Sequence, residues 1–225
     1  MDANRIDIEF TGERVVPGKT FPEVYREHID RYIFAGEFVK GKYVLDMACG
    51  TGYGIGHVVE RGARRAIGAD ISIQAVQYAN HWYGSDKTTF LCSDGARLPF
   101  CSDVFDIIMS FETIEHVYEY EMLVSEFHRV LKKGGMLICS TPNKRIFSPN
   151  EDRPSNRFHV REFWPVEFEQ LLRNHFCDIT LYGQCDVTLA DNSVERDKGI
   201  HQFIDNEFTS SGYVVAVARK AKGGS

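Results

Sequence analysis

Two carboxylates and an imidazole stand close together in Phe111-Glu112-Thr113-Ile114-Glu115-His116. If this stretch turns helically, residues i, i+3 and i+4 share a face. The three groups then converge and suit a divalent ion, Mg²⁺ or Mn²⁺ through oxygen, or Zn²⁺ given the imidazole. Such an ion would hold a substrate hydroxyl, lower its pKa and orient it. Two other readings fit the same residues. His116 can serve as a general base without metal. Alternatively, Glu112 touches the edge of a nucleotide while Glu115 and His116 cap the turn.

A second set is Asp46-Met-Ala-Cys-Gly50-Thr-Gly52-Tyr-Gly54. Glycines there let the backbone approach a ligand, and a helix N-terminus behind them can hold a carboxylate or phosphate. Asp70 follows 20 residues after Gly50, at the distance where an acid can accept hydrogen bonds from both ribose hydroxyls. A glycine turn alone is weak; with a strand before it, a helix after it and the acid in place, it points to a bound nucleotide.

These residues need elements to position them. Tyr43–Cys49 reads as a strand ended by the glycines, and Tyr53–Arg61 as the helix behind them. Further strands are expected at 65–71, 88–93, 104–111 and 136–141. Ser72 looks like an N-cap for a helix to Trp82, and a helix from Glu119 to Lys132 stops at Gly134-Gly135. Near-continuous apolar strands alternating with helices imply a parallel sheet covered on both faces. Beyond Pro142, residues 143–160 read as a loop, Trp164–Asn174 as a helix, Phe176–Gln184 as a strand, 185–210 as a polar, acidic insert with room for a short helix, and Tyr213–Ala218 as the last strand. A helix over Pro22–Val39 is a candidate cap at the mouth of the sheet, which makes His28 a further site candidate. His57, His81, His128, His175 and His201 have no special context.

The dinucleotide fingerprint is G-x-G-x-x-G; here the glycines run G-x-G-x-G behind Asp46. This resembles the first motif of class I S-adenosylmethionine (SAM)-dependent methyltransferases, of the type 11 kind. Asp94 in Cys92-Ser-Asp-Gly-Ala-Arg-Leu-Pro-Phe100 resembles the acid that pairs with the adenine amine. Phe105–Phe111 resembles the fourth-strand motif, and Glu126–Gly135 resembles the "R-V-L-K-P-G-G" motif with Lys133 in place of proline. The resemblance spans about residues 40–142. It implies an α/β, Rossmann-like fold with a seven-stranded, mostly parallel sheet and an antiparallel last strand. It also implies SAM as cofactor, with its methionine part over Gly50–Gly54, its ribose on Asp70 and its adenine beside Ile71, Asp94 and Gly95. Asp46, Ala48, Gly52 and Phe111 complete that expected set. Phe10–Pro17 and Glu27–Tyr32 resemble a bacterial subgroup whose members look like tailoring enzymes of sugars or surface polysaccharides. There Arg14 would help bind the SAM carboxylate and Tyr32 would close over it, unless both only pack and order the cap.

The Glu-x-x-Glu-His pattern is similar to two metal-using methyltransferase groups, one acting on catechol-like diols and one on the terminal 2′-hydroxyl of small RNAs. The second has a further histidine, which His159 in Arg157–Trp164 would match. Glu112, Glu115, His116 and His159 are therefore the catalytic set and the tentative metal set, with Mg²⁺ or Mn²⁺. The surroundings of His159 depart from the RNA group. Arg153, Arg157 and Arg161 lie in the same loop and would grip an anionic acceptor, or else form a solvated face. Phe158, Phe163 and Trp164 would line a pocket, or else belong to the core.

Composition sets the outer bounds. The chain has 225 residues, 43% hydrophobic and 26% charged, enough to fill a core. A net charge of -6 lowers the expectation of nucleic acid as partner. Six cysteines without a C-x-x-C pair read as reduced, buried thiols of a cytoplasmic protein, and no apolar run approaches the ~20 residues of a membrane span. The expectation is a cap over residues 1–40 and a methyltransferase domain over 41–220, acting on a small-molecule acceptor. O-methylation of a sugar, nucleotide-sugar or phosphorylated metabolite is expected first. N-methylation, RNA 2′-O-methylation and a non-catalytic SAM-binding subunit are the alternatives. An NAD-linked oxidoreductase would carry a Tyr-x-x-x-Lys on a helix, and none lies in a suitable place. Oligomeric state is not encoded legibly.

Overall fold

The computed structural model describes residues 6–190, 193–202 and 210–223, with backbone alone at 185–190, 193–198 and 202. Strands β1 (Tyr43–Met47), β2 (Arg65–Asp70), β3 (Thr88–Cys92), β4 (Phe105–Phe111) and β5 (Leu131–Pro142) pair in parallel. β8 (Ser211–Arg219) lies antiparallel between β5 and β6 (Cys177–Ala190), and β7 (Ser193–Gln202) pairs antiparallel with β6. The order is β3-β2-β1-β4-β5-β8-β6-β7. Between β1 and β4 the winding direction reverses, and the crevice beyond the carboxyl ends of those strands is where such sheets bind ligands.

The sheet has eight strands, one more than the seven expected. The extra one, β7, falls inside the stretch read as an insert with a short helix. Its sequence, Ser-Val-Glu-Arg-Asp-Lys-Gly-Ile-His-Gln, is charged because it forms the sheet edge, where side chains need no apolar partner. Residues 203–209 of that insert lie outside the described residues.

Alternating residues of the central strands fill two cores. Leu45, Phe105, Ile108, Leu137 and Cys139 face one side with Leu123 and Phe127 of α4 (Tyr120–Val130) and Phe168 and Leu172 of α6 (Pro165–Arg173). Val44, Ile107, Met109 and Ile138 face the other with Ile55 and Val58 of α2 (Tyr53–Glu60) and Ala35 of α1 (Pro22–Gly36). Both faces are dry, which is why the strands read as continuous apolar runs. Ser72 caps α3 (Ile73–Tyr83) as expected, its Oγ accepting from the Ala75 N–H at 3.3 Å. A short helix, α5 (Lys144–Phe147), sits in the loop after β5.

Cys49 and Cys139 are buried and free, whereas Cys92, Cys101 and Cys177 are exposed, so the expectation of buried thiols holds for only part of the set. The Cys185 side chain lies outside the described residues. Among the described residues no helix is long and apolar enough to cross a membrane.

The α1 helix docks on the start of α2 through a close approach. A Cβ at Gly54 would sit 2.0 Å from the Tyr32 ring. Gly54→Ala must therefore displace that ring, and overpacking of this kind costs about 1–3 kcal/mol. A lowered thermal midpoint with unchanged circular dichroism is the expected result; an unchanged midpoint would show that α1 is free to slide.

Candidate active site

At the switch point lies a cavity of about 650 Å³. Its first half is built on the turn after β1. Ala48 and Gly50 adopt positive φ (61° and 54°), so the chain folds back under the start of α2. Asp70 ties this turn to the next one: its Oδ2 accepts from the Gly50 N–H and its Oδ1 from the Ser72 N–H, each at 2.9 Å. Ile71, beside it, is 75% exposed, an apolar side chain with nothing yet laid on it. Asp94 opens the turn after β3, its Oδ1 accepting from the Ala96 N–H at 2.9 Å, and Gly95 packs on Leu123 and Met47. Residues 13–15 cross this half as a strap: the Thr51 hydroxyl donates to the Val15 carbonyl at 3.0 Å and Arg14 donates to Ser72 Oγ at 2.9 Å.

Of the residues expected at a cofactor, Arg14, Tyr32, Ala48, Gly50, Asp70, Ile71, Asp94, Gly95 and Phe111 all line the cavity. Asp46, Gly52 and Gly54 do not. Gly52 (φ 83°) carries the turn past Ala79, where a Cβ would come within 2.6 Å, and Gly54 admits Tyr32. Asp46 is fully buried; the Tyr32 hydroxyl donates to its Oδ2 at 2.9 Å, and burial pushes its carboxyl up to about 8. These three act from beneath the floor.

The second half gathers the carboxylates and histidines. The cluster Glu115, His116 and His159 has ligand-capable atoms within 4.8 Å of one another. Glu115 is fully buried. Its Oε2 accepts from the Thr141 hydroxyl at 3.2 Å, and its Oε1 has no hydrogen-bond partner and lies 3.9 Å from His116 Nε2. Burial, then the nearby Glu112, pushes its carboxyl well above the usual range. His116 Nδ1 lies 3.0 Å from the Phe158 carbonyl, an arrangement that makes Nδ1 the donor and leaves Nε2 as a base. Burial, then His159, lowers the His116 pKa. His159 is held by Glu162 Oε1 at Nδ1 and by Asn156 Nδ2 at Nε2, each at 2.9 Å, and Glu162 also accepts from Ser148.

Glu112 departs from the expected geometry. Only Ile114–His116 turn, as a single 3-10 turn, and Glu112 precedes it at φ 50°, a conformation that strains a residue bearing a Cβ. Glu112 therefore lies outside the three-residue cluster: its Oε1 accepts from Ser140 Oγ at 2.6 Å and sits 3.6 Å from the buried Arg31 guanidinium. It still lines the cavity.

Of the two readings of the loop arginines, a grip on the acceptor finds no support, since none of Arg153, Arg157 and Arg161 lines the cavity. Arg161 donates to the Tyr120 hydroxyl at 2.6 Å and lies over Phe163, and Arg157 lies over Phe158. Phe163 is core and Trp164 precedes α6, so Phe158 alone of the three aromatics reaches the cavity. His28 does reach it, 3.2 Å from the Tyr53 hydroxyl. Sequence reasoning missed Glu162, Arg31, Tyr53 and Tyr213. The His159-x-x-Glu162 spacing could have flagged the first. Nothing local marks a helix arginine as buried.

A divalent ion has a partial fit here. Glu115 Oε1 has no hydrogen-bond partner, but it is buried, and both His159 nitrogens are engaged. SAM fits better: the bent turn, Asp70 and the bare Ile71 form a concave bed for a nucleoside.

Residues 45–139 match the family model described as methyltransferase domain. A Mycolicibacterium smegmatis protein named "Probable S-adenosylmethionine-dependent methyltransferase" is 35% identical over 166 residues, 73% of this chain and 63% of its own length. A Mycobacterium tuberculosis protein of like name is 32% identical over 178 residues, 78% of this chain and 64% of its own length. The chain thus spans just under two thirds of these relatives. Shorter matches include proteins named as N-, O- and C-methyltransferases, so similarity alone does not set the acceptor atom. A chain in the complex between the Haloferax volcanii Trm112 methyltransferase activator and a methyltransferase shares the fold, with TM-score 0.67 and 20% identity over 90% of this chain and 93% of that one. Residues 45–139 thus carry a methyltransferase domain, and the chain is similar to SAM-dependent methyltransferases over about three quarters of its length.

Proposed function

We propose that the chain methylates a hydroxyl of a small acceptor, with SAM as donor and His116 as proton acceptor. The observation that carries this is His116 itself, set at the cavity wall with Nδ1 fixed on the Phe158 carbonyl and Nε2 left as a base. SAM, when bound, offers a sulfonium methyl that the acceptor oxygen takes by displacement, the sulfur leaving with the bonding pair. Gly50, Asp70, Ile71 and Asp94 hold the donor, and the strap residue Arg14 offers its carboxylate a cation. His116 Nε2 receives the hydroxyl proton, and the Phe158 carbonyl on Nδ1 holds the ring in place as it does. Glu162 fixes the His159 ring, which packs edge-on against His116 at 4.9 Å between centroids. The chain's residues mostly position the pair and remove a proton. The described part of the N-terminal cap, residues 6–40, completes the cavity through Glu13, Arg14, Val15, His28 and Tyr32.

A second reading places a divalent ion on Glu115, His116 and His159, which lie close enough to share one. Treatment with a chelator separates the two. Transfer of labelled methyl that persists after dialysis against EDTA supports the imidazole as sole base. Loss that Mg²⁺ or Mn²⁺ reverses would replace it with the metal.

A further inference from the structure

The cavity is lopsided in charge. Glu13, Asp70, Asp94, Glu112, Glu115 and Glu162 line it, against one guanidinium, Arg14, among the described residues. Arg14 is bonded to Ser72 at the end of β2, so it belongs to the donor half and answers the one anionic group the donor carries. Arg31 lies behind Glu112, fully buried and outside the lining. The acceptor half thus presents carboxylates, imidazoles and the rings of Phe147, Phe158 and Tyr213, and no lysine or arginine among the described residues. One polar atom at this wall is unsatisfied: Glu115 Oε1 is buried on a fully buried side chain, lacks a hydrogen-bond partner and stands 3.9 Å from His116 Nε2. A buried acceptor atom in this state is satisfied by a donor from outside.

We infer that the acceptor carries no anionic group and is an uncharged, hydroxyl-rich molecule, its donors meeting Glu115 and Glu112 and its apolar faces lying on Phe147 and Phe158. This rests on the reading of the cavity as a methyl-transfer site. It removes nucleotide-sugars and phosphorylated metabolites from the expected acceptors. A phosphate here would lose its hydration with no cation on the described lining of this half to replace it, and a charge buried without a partner is costly. A cationic amine is less favoured than a neutral polyol. Arg31 already offsets Glu112, and the buried Glu115 resists carrying charge.

The test incubates the full chain and labelled SAM with a bacterial small-molecule extract, then separates products on anion and cation exchangers. Methyl glycosides, inositol and catechol, each beside its monophosphate, serve as a defined panel. The expected result is label that neither exchanger retains. On the panel, a methylated compound should exceed its monophosphate at least 100-fold in kcat/KM. Ser155→Arg, which sets a cation at the exposed rim, should narrow that gap at least tenfold. Methylated product held by either exchanger, told from unreacted SAM by its absence when the chain is left out, or a monophosphate methylated as well as its parent, would overturn the inference and leave the methyltransferase reading intact. Absence of label from every source, with SAM shown bound by equilibrium dialysis, would overturn both.

Discussion

Asp70→Ala is expected to weaken SAM binding at least 100-fold in a calorimetric titration. The Asp70 carboxylate accepts two backbone N–H groups, from Gly50 and Ser72, each at 2.9 Å. Hydrogen bonds to a charged group contribute about 1.5–3 kcal/mol apiece, and a factor of ten in affinity is about 1.4 kcal/mol. Alanine removes both bonds. It frees the glycine turn and the first turn of α3 together, and takes away the oxygens whose remaining lone pairs would receive ribose hydroxyls. Asp70→Asn keeps an acceptor but loses the charge and should fall between. A dissociation constant within threefold of the parent, with native circular dichroism, would remove Asp70 from the donor site.

His116→Ala is expected to leave SAM affinity unchanged and to lower kcat by about 10²- to 10⁴-fold, the usual contribution of a positioned base. The pH profile adds a second readout. Burial and His159 depress the His116 pKa, while the Phe158 carbonyl, Glu112 and Glu13 pull it the other way. The reactive form is the neutral ring, so protonation in acid removes the base and kcat/KM falls as pH falls. Because the pKa is lowered, that limb lies below the ordinary histidine range near 6.5, and activity is level through neutrality. In His116→Ala the limb should disappear. Turnover within threefold of the parent, or an unchanged limb, would show that the proton leaves by another group.

The half of the cavity around the glycine turn is largely legible in the sequence. Tyr43–Met47, the glycines and Asp70 are close in sequence to the elements that hold them, and each carries a local signal. The acceptor half was legible as chemistry and not as geometry. Glu112, Glu115 and His116 share a helix face only if the whole stretch turns, and a one-turn 3-10 segment places Glu112 on Ser140 and Arg31 instead. Contacts across long separations leave no local trace: Arg31 with Glu112, His116 with Phe158, Tyr32 with Gly54. For Arg157 and Arg161 the sequence shows charge and not direction, which is onto Phe158, Tyr120 and Phe163. The eighth strand was underread for the opposite reason, since a sheet edge does not need the apolar run that announces an interior strand.

Glu112 makes one more point about the molecule as an evolved object. A φ of 50° costs a residue with a side chain on the order of 1–2 kcal/mol, and glycine would adopt it without strain. The chain nevertheless places a glutamate at that corner of the cavity wall. Robustness and chemistry are therefore traded against each other at a single codon. Selection for heat resistance alone would favour glycine there and would erase the carboxylate. Glu112→Gly should therefore raise the thermal midpoint while removing the Ser140 and Arg31 contacts from the cavity wall.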